Sequence, residues 1–302
     1  MILDWLIFPS PDSSYSTDKT NGELIYVPKN FEPELIADKV NRSNANHIPC
    51  LFLRATNISV CPKFAIFFHG NAEDINLAYE ILNHLRFTLS INVLAPEYPG
   101  YGIYPGRPNQ EAIFEDSLIL YDYLTKVLNI SPNNIIIFGR SLGTSPGTYL
   151  SSNRKVTSLV LISPMISIRT VVKDIMGTLI SYFIKDRFET IKMIEKVVNP
   201  ILIIHGQNDN LIRYYHSTEL YNKALAPCEL ILPENMDHNE FDFFQEFSEP
   251  LLDFISRNGI FANTEPCSAK FPPNLFKVPE EFKIPIKQWN CLTSLMKKFS
   301  LA

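Results

Sequence analysis

The segment NIIIFGRSLGTSPG, Asn134 to Gly147, places a serine between two glycines directly after a run of apolar residues. The apolar residues Ile135–Phe138 predict a buried strand, and the residues after the serine suit the start of a helix. Gly139 and Gly143 would let this strand and this helix pass close together. We therefore predict that Ser141 lies at the tip of a sharp turn with its hydroxyl exposed. The G-x-S-x-G pattern is typical of a serine nucleophile, although glycine and serine also occur in plain surface turns.

Apolar runs of strand length alternate with segments of helical period along the chain. A continuous run such as FAIFF, Phe64–Phe68, is expected for a strand buried on both faces. Gly22–Pro28 and Ile48–Thr56 predict an opening antiparallel pair. The other predicted strands are Ile91–Pro96, Ile135–Phe138, Thr157–Ser163, Pro200–His205 and Glu229–Leu232, and the predicted helices are Asp74–Leu89, Asn109–Leu128 and Phe241–Arg257. The alternation predicts a mostly parallel, doubly wound α/β sheet within a domain spanning residues 1–262.

A serine, an acid and a histidine follow three of these strands. In such sheets, residues that follow the strands share one edge, where ligands bind. Ser141 would attack, His238 would take its proton, and Asp209 would orient and stabilise the imidazole. The order serine, acid, histidine is that of α/β-hydrolases. Asp237 is the alternative acid, but neighbours in sequence seldom face each other on a loop, which favours Asp209.

Backbone N–H groups complete this predicted site. Those of Leu142, after the nucleophile, and Asn71, after the His-Gly turn, are predicted to form an oxyanion hole. Four other histidines are predicted to be structural (His69 and His205) or on helices, at the surface or with satisfied hydrogen bonds (His84 and His216). We expect no metal or other cofactor, because no cluster of side chains has the spacing of metal ligands.

The composition is that of an ordinary globular protein. The chain has 302 residues, is 46% hydrophobic and carries a net charge of −5, which gives no reason to expect nucleic-acid binding. The N-terminal stretch MILDWLIF has no basic region, and no apolar run reaches the roughly 18 residues of a spanning helix. The five cysteines form no C-x-x-C pair: Cys50, Cys61, Cys228, Cys267 and Cys291. We therefore predict a cytoplasmic protein without a signal peptide or transmembrane helix.

The segments FFHGNAEDI, EYPGYG, GRSLGT, LISP, ILIIHGQND and DHNEFD together resemble the α/β-hydrolase domain-containing 17 family. That family is close to the Bem46-like proteins and to the group described as serine aminopeptidase S33-like. The resemblance implies the α/β-hydrolase fold and a palmitoyl-protein thioesterase, which removes long-chain acyl groups from protein cysteines. By motif position it carries the catalytic roles to Ser141, Asp209 and His238. The segment FPSPDSSYS matches the stretch that follows an acylated cysteine cluster in this family, and no cysteine precedes it here.

Two further segments bear on the substrate. Residues 165–198 stand where this fold commonly inserts a short helical cap, and their apolar side chains would either line an acyl groove or form ordinary core. These side chains are Ile175, Met176, Leu179, Ile180, Tyr182 and Phe183. Residues 263–302 form a tail in which Ile286–Phe299 predicts an amphipathic helix with Cys291 as a candidate acylation site. This helix would either pack on its own domain or lie on a membrane surface.

Three functions are compatible with these patterns. The first is a serine hydrolase of acyl esters or thioesters, acting on an acylated protein or a small acyl ester, with peripheral membrane contact through the cap or the C-terminal helix. The second is a soluble small-substrate carboxylesterase or serine aminopeptidase-like hydrolase, in which Glu97 or Glu234 would receive a substrate amine. The third is a catalytically silent binding scaffold.

Overall fold

Eight strands form one sheet in the computed structural model, which describes residues 8–31, 45–56, 63–262 and 271–283. In chain order the strands are β1 (Glu23–Pro28), β2 (His47–Leu53), β3 (Phe64–Phe68), β4 (Asn92–Pro96), β5 (Ile135–Arg140), β6 (Ser158–Ile162), β7 (Ile201–Ile204) and β8 (Cys228–Ile231). Across the sheet their order is β1-β2-β4-β3-β5-β6-β7-β8. Each strand expected from the apolar runs is present, with bounds that differ by a few residues at most.

The sheet is antiparallel at one edge and parallel elsewhere. β2 pairs antiparallel with both β1 and β4, whereas β4, β3, β5, β6, β7 and β8 are parallel to one another. Every residue of β3, β4, β6 and β7 is buried, because both faces of the sheet are covered. The fold is therefore the expected α/β-hydrolase fold, and the parallel strands deliver their following loops to one edge.

Helices of very different lengths flank the sheet. They are α1 (Tyr79–Leu89), α2 (Gln110–Asp122), α3 (Thr144–Asn153), α4 (Ile168–Met176), α5 (Thr178–Ser181), α6 (Thr190–Met193), α7 (Tyr215–Lys223) and α8 (Glu249–Arg257). The helix expected from Asp74 begins only at Tyr79, because the Asp74 carboxylate accepts the N–H groups of Asn76 and Leu77 and holds a turn. The closing helix begins at Glu249, preceded by a π-helical turn over Phe243–Ser248.

The segment between β6 and β7 carries α4, α5 and α6. The six apolar side chains singled out from the sequence are not ordinary core: Leu179 and Phe183 are 81% and 82% exposed, and Ile175 is more than half exposed. Ile184 and Phe188 of the same segment are buried in the core. Gly177 separates α4 from α5 with φ +88°, a backbone angle that glycine favours. The segment therefore forms a short helical layer with apolar groups on its surface.

Residues 271–283 lie against the first two strands. The Phe271 ring packs edge-on against Phe52 with centroids 4.5 Å apart, and Phe282 lies 5.0 Å from Tyr26. The Glu281 carboxylate accepts the backbone N–H group of His47. The helix predicted over Ile286–Phe299 lies outside the described residues, as do Cys61, Cys267 and Cys291.

Candidate active site

The turn after β5 has the strained shape expected of a nucleophile elbow. Ser141 has φ +51°, a left-handed conformation that is costly for a residue with a side chain, at roughly 1–3 kcal/mol. A Cβ atom on Gly143 would lie 2.1 Å from the carbonyl oxygen of Phe68, and one on Gly139 would lie 2.5 Å from the carbonyl oxygen of Gly143. Only glycine allows β3, β5 and the start of α3 to approach this closely.

Ser141, His238 and Asp209 form one hydrogen-bonded chain. Ser141 Oγ lies 3.1 Å from His238 Nε2, and His238 Nδ1 lies 2.7 Å from Asp209 Oδ2. The three residues follow β5, β8 and β7, and all are buried. The geometry thus brings together the three side chains that the sequence singled out. Asp237 instead accepts the N–H group of Asn239 within its own loop.

The surroundings of Asp209 keep its carboxyl group ionised. Burial alone would raise its pKa, but hydrogen bonds from His205 and His238, with the N–H group of Ile212, hold the pKa well below its usual range. The second oxygen, Oδ1, accepts the N–H groups of Leu211 and Ile212 at 3.0 and 2.8 Å. An ionised Asp209 requires the proton of His238 on Nδ1, which leaves Nε2 free to accept the Ser141 hydroxyl proton.

His205 is buried and hydrogen-bonded, as expected of a structural residue, but its contact with Asp209 was not expected. Its Nε2 donates to the carbonyl of Ile212 at 2.7 Å and lies 3.2 Å from Asp209 Oδ2. Its Nδ1 accepts the hydroxyl of Ser217 at 2.6 Å. His205 therefore contacts the same carboxylate oxygen of Asp209 as His238 does. The HGQND motif, with the histidine four residues before the acid, carried a signal for this contact.

A buried ion pair underlies the loop after β3. His69 Nε2 lies 3.0 Å from Glu97 Oε1, and both side chains have no exposed surface. Burial lowers the pKa of His69, but the Glu97 carboxylate outweighs it and the pKa is raised. Glu97 also accepts the Tyr15 hydroxyl and the N–H groups of Ile75 and Tyr98. A carboxylate engaged in this way belongs to the scaffold of the loop.

The loop after β3 brings Asn71 to the site. Asn71 Oδ1 accepts the hydroxyl of Tyr101 at 2.6 Å, which fixes its side chain, and Asn71 lines the same cavity as Ser141 and His238. Leu142 follows Ser141 in the buried turn. The assignment of the Asn71 and Leu142 N–H groups as oxyanion donors stays a prediction.

A cavity of about 600 Å³ opens above Ser141. One end is polar, with Asn71, Glu73, Arg140, His238 and Asn239 in its wall. The other end is aliphatic and is built mainly by the α4–α5 segment and the loop after β7. Its lining side chains are Ile168, Val171, Val172, Ile175, Met176, Ile180, Ile184, Leu211 and Ile212. The cavity that holds the serine therefore combines hydrogen-bonding groups with a larger aliphatic surface.

His84 and His216, the two histidines predicted to lie on helices, have ordinary hydrogen-bond partners. His84, on α1, contacts the Ser248 hydroxyl at 2.6 Å, and His216, on α7, lies 3.0 Å from Asp174 on α4. Within residues 8–31, 45–56, 63–262 and 271–283, no group of three or more histidine, cysteine or acidic side chains is arranged to hold a metal ion. Across the same ranges, every helix is too short or too polar to cross a bilayer.

Comparison with known proteins defines the class first. Residues 66–190 match the family model of the alpha/beta hydrolase fold. The esterase Pf2001 from Pyrococcus furiosus has a similar structure, with a TM-score of 0.59 and 17% identity, covering 83% of this chain and 96% of the esterase. At that identity the likeness shows the fold alone.

Sequence relatives then define the family. Alpha/beta hydrolase domain-containing protein 17B from Homo sapiens is 30% identical over 217 residues, which cover 71% of this chain and 73% of the relative. Protein 17C from Mus musculus is 30% identical over 70% of this chain, and the match spans 64% of that relative's length. The chain belongs to the alpha/beta hydrolase domain-containing protein 17 family, which confirms the resemblance drawn from its motifs and supports a hydrolase.

Proposed function

We propose that the protein is a serine hydrolase that cleaves acyl esters or thioesters through an acyl-enzyme on Ser141. The observation that carries this proposal is the hydrogen-bonded chain Ser141–His238–Asp209, with its serine on a strained turn beneath an accessible cavity. These side chains supply a nucleophile, a base and an acid that orients the base.

The reaction proceeds in two halves. Ser141 Oγ attacks the acyl carbon while its proton moves to His238 Nε2, and the positive imidazolium is stabilised by Asp209. The Asn71 and Leu142 N–H groups donate hydrogen bonds to the carbonyl oxygen as negative charge develops on it. Each such donor contributes a factor of about 10²–10³ to the rate. The tetrahedral intermediate collapses, the bond to sulfur or oxygen breaks, and His238 returns the proton to the leaving group. Water then repeats the sequence and releases the fatty acid.

The most specific substrate we propose is a long-chain acyl group on a protein cysteine, so that the activity is that of a palmitoyl-protein thioesterase. The aliphatic end of the cavity suits an acyl chain, because Val171, Val172, Ile180 and Ile184 offer an apolar wall beside the nucleophile. Membership of the family supports the same substrate class. The polar end would receive the carbonyl and the leaving thiol.

Peripheral contact with a membrane is part of this proposal. Leu179, Tyr182 and Phe183 are at least 75% exposed, and they neighbour the cavity-lining residues of the α4–α5 segment. Lys185 is exposed beside them. Apolar and basic side chains in this combination suit the surface of an anionic bilayer. Cys50 and Cys228 are free thiols, which agrees with a cytoplasmic location.

Small-substrate and peptidase activity receive less support. Glu97 is enclosed by His69 and Tyr15, and Glu234 is exposed and is not part of the cavity wall. Neither is placed to receive a substrate amine. A silent scaffold would have no need of the strained Ser141 and its aligned base, so the binding-only function is the weakest of the three.

Hydrolysis of acyl thioesters from acetyl to palmitoyl tests the proposal. Ser141→Ala should lose about 10⁴-fold or more in rate, and Ser152→Ala, at the end of α3, is the matched serine control. Activity that rises with chain length and vanishes only in Ser141→Ala supports the thioesterase. A preference for acetyl would favour the small-ester function, and activity that survives in Ser141→Ala would refute the acyl-enzyme.

A further inference from the structure

Arg140 stands at the end of β5, directly before the proposed nucleophile, and its side chain is only 12% exposed. Its guanidinium group bridges two separate loops. Nη1 lies 3.0 Å from Glu73 Oε1, in the loop after β3. Nη2 donates to the carbonyl oxygen of His238 at 2.9 Å and to Asn239 Oδ1 at 3.0 Å, in the loop after β8.

Glu73 extends this bridge into the turn that precedes Asn71. Its Oε1 accepts the N–H group of Gly70 at 2.5 Å as well as the Arg140 guanidinium. A Cβ atom on Gly70 would lie 2.7 Å from Glu73 Oε1 and 3.3 Å from Arg140 Nη1, so the three groups are closely packed. An unbroken set of contacts therefore runs from the Gly70 N–H group through Glu73 and Arg140 to the His238 carbonyl.

The loop that carries His238 has no regular secondary structure, so its position depends on such contacts. Its start is held against β7, where the Gln207 N–H group donates to the Pro233 carbonyl and Gly206 packs against Met236. Arg140 holds the same loop at His238 and at Asn239. The forked, planar guanidinium can serve both loops at once, which a lysine ammonium does less well.

We propose that Arg140 is a positioning residue that, together with Glu73, sets the His238 imidazole and the Asn71 turn relative to Ser141. This inference rests on the proposed function. Without the guanidinium, both loops lose a charge-assisted contact. The backbone at His238 is then no longer held by Arg140, so the distance between Ser141 Oγ and His238 Nε2 is no longer fixed. Arg140 is not part of the aliphatic wall, which would hold the acyl chain. Its substitution should therefore change KM little while the chemical steps become slower.

The test compares Arg140→Gln, Arg140→Lys and Glu73→Gln with the wild type. Arg54→Gln is the matched control, because Arg54 forms a comparable two-bond pair with Glu23 at the exposed edge of the sheet. The readouts are kcat and KM on p-nitrophenyl butyrate, and the rate and endpoint of covalent labelling by a fluorophosphonate probe.

We expect Arg140→Gln to lower kcat by about 10- to 100-fold, the size of effect that a small misplacement of reacting groups produces. KM should stay within about 3-fold, an energy difference of under 1 kcal/mol. Labelling should be slower but should reach the wild-type endpoint. Arg140→Lys should recover part of kcat, Glu73→Gln should lose less than Arg140→Gln, and Arg54→Gln should match the wild type.

Different failures have different signatures. If the wild type neither hydrolyses the ester nor labels at Ser141, the proposed function itself fails and the positioning role falls with it. If the wild type is active and Arg140→Gln keeps its kcat, only the positioning role is refuted. A lower labelling endpoint with an unchanged kcat per labelled site would refute it too, because Arg140 would then act on folding alone. A rise in KM alone would make Arg140 a substrate contact.

Discussion

Asp209→Asn should lower kcat by about 10⁴-fold, through the tautomer of His238. In the wild type, Asp209 Oδ1 accepts the N–H groups of Leu211 and Ile212, and Oδ2 lies 2.7 Å from His238 Nδ1. An asparagine must keep its carbonyl oxygen on the two backbone donors. Its NH₂ group then faces His238, so that Nδ1 has to accept a hydrogen bond and the ring proton moves to Nε2.

That proton move disables the base. A protonated Nε2 lies 3.1 Å from Ser141 Oγ and donates to it instead of accepting its proton. A 10⁴-fold loss corresponds to about 5.5 kcal/mol of transition-state stabilisation. The fold should persist, because the substitution preserves volume and the bonds to Leu211 and Ile212.

The assay is kcat on an acyl thioester, with thermal unfolding as a check on the fold and Asp237→Asn as the control. Asp237 contacts the N–H group of Asn239 and not His238, so its variant should keep nearly full activity. A loss of less than about 10-fold in Asp209→Asn would refute the tautomer argument. A large loss of kcat in Asp237→Asn, with little loss in Asp209→Asn, would indicate that Asp237 is the acid that orients His238.

Gly143→Ala should lower the thermal midpoint sharply, because its Cβ would lie 2.1 Å from a backbone oxygen, whereas Gly147→Ala, with a nearest contact of 3.2 Å, should be tolerated; equal midpoints would contradict this. Glu97→Gln should lower the free energy of unfolding by about 3–5 kcal/mol near pH 6, because it leaves the buried charge of His69 without its partner. Because the folded pKa of His69 is raised, the ion pair's contribution is fully present below about pH 6.5 and is lost as the pH rises through the folded value. Urea unfolding should therefore show a difference from the wild type that shrinks at alkaline pH, and a growing difference would argue against the pair. Val172→Asp, in the aliphatic wall, should lower kcat/KM for palmitoyl thioesters by about 10-fold or more and barely affect acetyl thioesters; an equal loss on both chain lengths would count against an acyl groove.

The sheet and the turn at Ser141 could be predicted from the sequence because their signals are local. A continuous apolar run such as Phe64–Phe68 is buried on both faces, and the glycines around Ser141 stand where a Cβ has no room. The acid and the histidine followed from one topological rule, which puts the ends of parallel strands on a single edge. Apolar runs, glycines that leave no room for a Cβ atom, and the topology of a parallel sheet were enough to predict this part of the molecule.

Contacts between distant loops could not be predicted in the same way. Arg140 reaches Glu73 across 67 residues and His238 across 98, and nothing in GRSLG states which loop its side chain meets. Glu97 was a candidate for binding a substrate amine because it is acidic, yet its carboxylate contacts the buried His69. Polar residues next to a strand end have several partners within reach, and only the three-dimensional arrangement of the loops selects one.

The aliphatic wall of the cavity has a consequence for how this protein can diversify. Most of that wall comes from residues 168–184, one continuous stretch between β6 and β7, whereas Ser141, Asp209 and His238 stand on other loops of the sheet. Under the proposed function, exchange of that stretch for one of different size would alter which acyl chains fit and leave Ser141, Asp209 and His238 in place. Substrate choice and bond cleavage would then depend on separate parts of the chain, so a single local insertion or deletion in the gene could change the first and leave the second intact.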